Sequence, residues 1–133
     1  MDKPRPRPTA TSAPFWDALR VGELRLQRCD ACGTWIHYPR NRCPRCLSAD
    51  ISWHTVEPRG TVYTFTVAVA PTAPMFAGEA PQLLAVVELT NGVRMTTTLV
   101  DVDPSDVHVG LPVVGVFDHG DDGLTLLRFA PAS

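Results

Sequence analysis

Hydrophobic and polar positions change period along the chain. Near the N-terminus Phe15, Ala18 and Leu19 recur at i, i+3 and i+4 with Trp16 beside them, the spacing of a helix with one apolar face. Ser12 is placed to cap such a helix, Pro14 falls in its first turn, where a missing N–H costs little, and Gly22 is a natural stop. A short helix is therefore predicted over 12–22, within an N-terminal unit of 12–23. From Thr61 the period falls to two: Tyr63, Phe65, Val67 and Val69 alternate with Val62, Thr64, Thr66 and Ala68, as in a strand. Further strands are predicted at Leu83–Leu89, Val93–Val100, Pro112–Phe117 and Leu124–Phe129. Thr90-Asn91-Gly92 predicts a hairpin with the positive φ angles of a type I′ turn. Asp103-Pro104-Ser105-Asp106 predicts a turn or single helical turn capped by Asp103. Five strands, with a hairpin between the second and third and an interruption between the third and fourth, fit an OB-type barrel over 57–133.

Between helix and barrel lies a different segment, 24–56. Leu24–Arg28 reads as a strand entering Cys29-Asp30-Ala31-Cys32-Gly33, Thr34–Tyr38 as a second strand ended by Pro39, and Ile51–His54 as a third after Cys43-Pro44-Arg45-Cys46. Two Cys-x-x-Cys loops joined by short strands describe a zinc ribbon. Each loop turns tightly enough for both thiolates to face one ion, and two loops complete a tetrahedron. Cys29, Cys32, Cys43 and Cys46 are therefore expected to hold one metal ion, zinc first and iron as the rival. A four-thiolate site leaves no open position for substrate, so the ion is expected to be structural. His37 and His54 lie nearby in sequence and read as ordinary strand residues.

Residues 1–11 complete the picture as a Pro-rich extended tail, because Arg5-Pro6-Arg7-Pro8 forbids a helix and offers nothing to bury. A helix as short as the predicted one is marginal alone in water, so its aromatics must pack on the rest of the chain or on another protein. Hydrophobic residues make up 44% and charged residues 20% of the 133, which suits a folded core and not a disordered chain. Charge is unevenly placed: residues 1–59 carry ten Lys/Arg and six Asp/Glu, residues 60–133 two and eight. No signal-like or membrane-length apolar run is visible, and a cytoplasmic setting, where thiols stay reduced, is expected.

Catalytic signatures are missing. The four cysteines are committed, and no nucleophile elbow, phosphate-binding glycine loop or His-Glu-x-x-His motif occurs. Asp101, Asp103 and Asp106 read as a solvated turn, and His108 and His119 have no partner visible in sequence. A nucleic-acid module would need basic residues and aromatics on the second and third barrel strands. Those strands, LLAVVEL and VRMTTTL, hold one Arg and no aromatic, within an acidic half that repels a polyanion.

Four stretches, PFWDALRVGEL, LQRCDACGTWIHYPRNRCPRC, GTVYTFTV and VVELTNGVRMTTTLVDVDPSDVHVGLPV, together spanning roughly residues 13–118, resemble the DUF35 family, also called the acyl-CoA-associated OB-fold family. The resemblance implies a mainly β protein: a short N-terminal helix, a rubredoxin-like zinc ribbon and a five-stranded OB-fold. It implies a non-catalytic subunit that supports a thiolase-like acyl-CoA enzyme, an aldolase or acyltransferase. One branch is similar to the domain paired with a thiolase-like aldolase of steroid side-chain degradation. Some family domains are fused behind a hydratase-like domain, so the chain is expected either whole or as one piece of a longer protein. The zinc-ligand role maps onto the four cysteines, and no catalytic residue carries over. Partner contacts are expected from Phe15, Trp16 and Leu19 on the helix, then from Met75 and Phe76 in the Pro71–Pro81 loop. Arg40, Arg42 and Arg45 are expected either to meet CoA phosphates or to offset the charge of the thiolates. The competing readings are a stand-alone acyl-CoA-binding module and a nucleic-acid module.

Overall fold

The computed structural model describes residues 7–68, 82–120 and 123–132. Helix α1 (Ala13–Arg20) begins as its sequence suggests, with Pro14 in the first turn, but Ser12 does not cap it through its side chain. The buried Ser12 Oγ instead accepts from the Thr9 N–H at 2.9 Å, closing a small turn ahead of the helix. The C-terminal end is a Schellman motif: Glu23 N–H reaches Ala18 O at 2.9 Å and Gly22 N–H reaches Leu19 O at 3.1 Å. Gly22, at φ 78°, supplies the left-handed residue.

A three-stranded antiparallel sheet follows, ordered β2-β1-β3, from β1 (Leu24–Cys29), β2 (Trp35–Ile36) and β3 (Ile51–Val56). The β1/β3 register runs from Leu24↔Val56 to Cys29↔Ile51. The strand expected over Thr34–Tyr38 shortens to two residues. Beyond Ile36 the chain turns toward α1, where His37 and Tyr38 pack on the Phe15 ring at 5.5 and 6.0 Å between centroids. His37 therefore lies past the strand, not within it.

The second sheet holds β4 (Arg59–Ala68), β5 (Gln82–Leu89), β6 (Arg94–Thr98), β7 (Pro112–His119) and β8 (Thr125–Pro131), ordered β6-β5-β4-β7-β8. A parallel bridge between Leu99 and Phe129 brings the chain after β6 against β8, so the sheet curls back on itself as in an OB-fold. β5 shows the strict alternation of a half-buried strand: Leu83, Ala85, Val87 and Leu89 point inward. Gly60 lets β4 approach β5, since a Cβ there would run into the Glu88 carbonyl.

The β5–β6 hairpin departs from the expected type I′ turn. Only Gly92, at φ 89°, is left-handed; Gly92 N–H donates to Leu89 O at 2.9 Å and Leu89 N–H to Val93 O at 2.8 Å. This is a three-residue loop ending in a left-handed glycine, and Asn91 serves by accepting the Val93 N–H through Oδ1. The expected Asp103 cap is present: a single turn of 3-10 helix spans Pro104–Asp106 and Asp103 Oδ1 accepts from Ser105 N–H.

One apolar core runs through helix, first sheet and barrel. Phe15, Leu19, Leu24 and Leu26 pack in the same cluster as Val62, Val87, Val113 and Phe129.

Candidate metal centre

Each pair of cysteines sits on a knuckle built the same way. In the first, Gly33 N–H donates back to Cys29 O at 2.8 Å; in the second, Leu47 N–H donates back to Cys43 O at 2.9 Å. Both fifth residues are left-handed, Gly33 at φ 79° and Leu47 at φ 65°. β1 delivers Cys29 to the site, where Cys29 N–H is held by Thr34 O, and Cys43 N–H is held by Ser48 O, both at 2.9 Å.

The four Sγ atoms lie within 4.8 Å of one another. Two approaches cross between the knuckles: Cys29 to Cys46 at 3.5 Å and Cys32 to Cys43 at 3.6 Å. A tetrahedral ion with metal–sulfur bonds of about 2.3 Å sets its ligand sulfurs about 3.8 Å apart. The donor set therefore fits one four-coordinate ion, and all four cysteines are unbridged.

The thiols are electrically unequal. The Thr34 hydroxyl and N–H draw Cys32 down to about 6. Cys43 is lowered chiefly by the Cys46 N–H, with a further contribution from the Arg45 N–H. At Cys46 the Ser48 N–H favours the thiolate, but the neighbouring Cys29 sulfur, burial and the sulfurs of Cys32 and Cys43 outweigh it and push the thiol up to about 12. Four thiolates in contact repel one another, and a cation among them reverses that repulsion.

A residue not anticipated from sequence ties the halves together. Buried Gln27 donates through Nε2 to Arg40 O at 2.9 Å and accepts the Arg40 N–H through Oε1 at 2.7 Å. Its only sequence signal is a polar residue among buried positions of LRLQRC.

The surrounding arginines differ in role. Arg28 donates to Gly33 O at 3.1 Å and stacks over Trp35, while Arg42 donates to Leu47 O at 3.2 Å. Arg40 and Arg45 form no ion pair among the described residues. His54 is on β3, hydrogen-bonded to Ser52 Oγ, and His37 packs on Phe15; neither joins the cysteine cluster.

The expected partner-facing helix needs correcting. Phe15 and Leu19 are 4% and 1% exposed and belong to the chain's own core. Trp16 is half-buried, and its Nε1 donates to the Tyr38 hydroxyl at 2.9 Å. Met75 and Phe76 lie outside the described residues. An apolar groove of about 410 Å³ runs between Trp16, Tyr38 and the β6–β8 seam at Met95 and Leu127.

Two family models match in succession: the ChsH2 rubredoxin-like zinc ribbon domain over 16–52 and the ChsH2 C-terminal OB-fold domain over 53–118. A DUF35 domain-containing scaffold protein of Methanocaldococcus jannaschii is 38% identical over 73% of this chain and 72% of its own. The chain belongs to the DUF35 family. Two further relatives of this DUF35 protein are longer. A probable enoyl-CoA hydratase alpha subunit of Thermomonospora curvata is 42% identical over 98% of this chain. The 3-oxo-4,17-pregnadiene-20-carboxyl-CoA hydratase alpha subunit of Mycobacterium tuberculosis is 38% identical over 82% of it. The chain spans 40% and 34% of their lengths. Among solved structures, a chain of the Ltp2-ChsH2(DUF35) aldolase superposes with a TM-score of 0.86 at 39% identity, covering 97% of this DUF35 chain and all of that one. No helix among the described residues is long and apolar enough to cross a membrane.

Proposed function

We propose that this protein is a non-catalytic subunit that binds and supports a thiolase-like acyl-CoA enzyme, an aldolase or acyltransferase, in the cytoplasm. The likeness to a chain of the Ltp2-ChsH2(DUF35) aldolase, end to end, is the observation that carries this reading. Steroid-derived thioesters are the proposed substrate class of the complex, supported by the pregnadiene-carboxyl-CoA hydratase relative.

The proposed ion is zinc, held by Cys29, Cys32, Cys43 and Cys46. When bound it supplies folding free energy to knuckles too small to build a core, and four thiolates leave it no site for substrate. The chemistry of the complex therefore falls to the partner. Arg40 and Arg45, without carboxylate partners among the described residues, are available to CoA phosphates at the shared face, with Arg42 beside them.

The test is reconstitution. Tagged protein from the native host should retain a thiolase-like subunit identified by mass spectrometry, carry one equivalent of zinc, and restore thioester turnover to that subunit. Turnover of an acyl-CoA by the pure chain alone overturns the reading.

The groove beside Trp16 favours a second reading, a free-standing binder of acyl chains. Calorimetry separates the two: affinity of the isolated chain for an acyl-CoA supports the second, and affinity found only in the complex supports the first.

A further inference from the structure

Along the seam of the barrel, β6 and β8 meet and then part. At the meeting point Leu99 bridges Phe129, and Val100 N–H donates to Phe129 O at 2.8 Å. Two residues back, a side chain stands in for backbone: the Thr97 hydroxyl donates to Leu127 O at 3.0 Å. Elsewhere β6 and β8 are not paired. The apolar groove beside Trp16 opens in that gap, with Thr96 and Leu127 on its walls.

Register decides which way β6 points its backbone. Leu89 N–H donates to Val93 O at 2.8 Å and Leu99 N–H to Leu83 O at 2.9 Å, and the pairs between them run from Glu88↔Arg94 to Leu84↔Thr98. In an antiparallel ladder, successive residues turn their backbone groups to opposite sides. Val93, Met95, Thr97 and Leu99 therefore bond to β5, and Arg94, Thr96 and Thr98 turn their N–H and C=O the other way, toward the gap. On that side Thr96 enters no strand pairing among the described residues. Such an edge is a template for another strand unless lysine, proline or a bulge guards it, and Met95–Thr98 has none of these. The nearest charge, Arg94, is drawn away to Glu88 at 3.0 Å and over the Tyr63 ring.

We infer that the gap receives an extended segment of the partner subunit, which adds a strand to β6 through Thr96 and lays uncharged side chains against Trp16, Leu126 and Leu127. The free N–H and C=O of Thr96 call for an acceptor and a donor at strand spacing, which a polypeptide carries and a hydrocarbon chain lacks. The one arginine on the groove wall, Arg128, is engaged by Asp118 at 2.7 Å, so the seated residues need no charge of their own. A groove of about 410 Å³ seats only a few residues. A few residues bury far less than the roughly 800 Å² per partner of a stable pair, so the segment belongs to a larger body that grips the chain elsewhere as well. A second copy would bring a whole barrel edge, too broad for a gap walled by α1 and β8. This inference rests on the proposed subunit role and gives the groove to the partner instead of an acyl chain.

Hydrogen exchange tests it on the wild-type chain. The chain is exchanged free and in complex with the purified thiolase-like subunit, and amides are read one by one by NMR after dissociation. Met95 and Thr97, bonded to β5, should be protected in both states, and the Thr96 amide should slow about tenfold or more only in the complex. Thr96→Pro removes the outward N–H while its neighbours keep their bonds to β5. It should keep full metal loading and weaken binding about tenfold or more. Equal exchange of the Thr96 amide in both states overturns the inference while leaving the subunit role intact, and it does so even where Thr96→Pro fails to fold. Unchanged affinity in a folded Thr96→Pro overturns it too. Protection of Thr96 that grows with the concentration of the chain alone makes a second copy the occupant, and an acyl-CoA that displaces the subunit from the isolated chain makes it a lipid; either result overturns the inference. A wild-type chain with no affinity for the subunit overturns the functional reading and this inference with it.

Discussion

The carboxamide of Gln27 pairs with both backbone polar groups of Arg40, as a neighbouring strand would, at 2.9 and 2.7 Å. It thereby bolts the loop between the knuckles to β1, two residues before Cys29. Gln27→Leu preserves bulk but leaves the Arg40 N–H and C=O without their partners, at a cost of about 1–3 kcal/mol. Metal should then pass to a chromogenic chelator faster than from wild type. Gln27→Glu keeps the acceptor and loses the donor, and should fall between the two. Equal release rates in all three proteins would reduce the clamp to ordinary packing.

Cys43→Ser should abolish metal binding, because three thiolates and a hydroxyl hold the ion far less well. The segment from Cys29 to Ile51 should then lose hydrogen-exchange protection. The barrel around Phe129, buried independently of the ion, should keep its protection. A Cys43→Ser protein that retains one tightly bound ion would show that the ligand set is different.

Phe15→Ala tests where the helix spends its apolar face. With Phe15 buried in the shared core, the substitution should cost about 3–5 kcal/mol of stability. Trp16→Ala, which removes a half-buried ring packed edge-on to Phe15 together with its hydrogen bond to Tyr38, should cost less, about 1–3 kcal/mol. Chemical denaturation measures both. Similar small losses would return Phe15 to the role of a partner contact.

His37 should give stability a pH dependence. Burial lowers its pKa from 6.5, and its Nδ1 has no hydrogen-bond partner. A depressed histidine favours the folded state while neutral. That contribution is complete above the unfolded value and is lost as pH falls from about 6.5 toward the folded value, where the unfolded chain binds the extra proton. The melting temperature of wild type should therefore fall relative to His37→Phe across that window. Parallel curves for the two proteins would mean that His37 titrates alike in both states.

Strand periodicity made the barrel legible before its geometry was known: the period-two run that begins at Thr61 lies on β4, and the Asp103 cap sits where the turn residues put it. Cysteine spacing did the same for the clustering of Cys29, Cys32, Cys43 and Cys46. What escaped was decided by contacts distant in sequence. The turn at Thr90–Gly92 closes with one left-handed residue, not two, because its ladder is set by Leu89 and Val93. Trp35–Ile36 stops short because α1 draws His37 and Tyr38 away from the sheet. The helix face, amphipathic in sequence, said only that something would cover it. Gln27 looked like any polar strand residue until the loop it grips was placed thirteen positions away.

Val56 ends one sheet and Arg59 begins the next, with only Glu57 and Pro58 between them. Pro58 is itself pinned, its carbonyl accepting from Gly115 N–H at 2.6 Å. The link is thus a stiff elbow and not a tether. Whatever holds the cysteine-bearing end therefore also sets the azimuth of the barrel, as turning a bent key turns both of its arms.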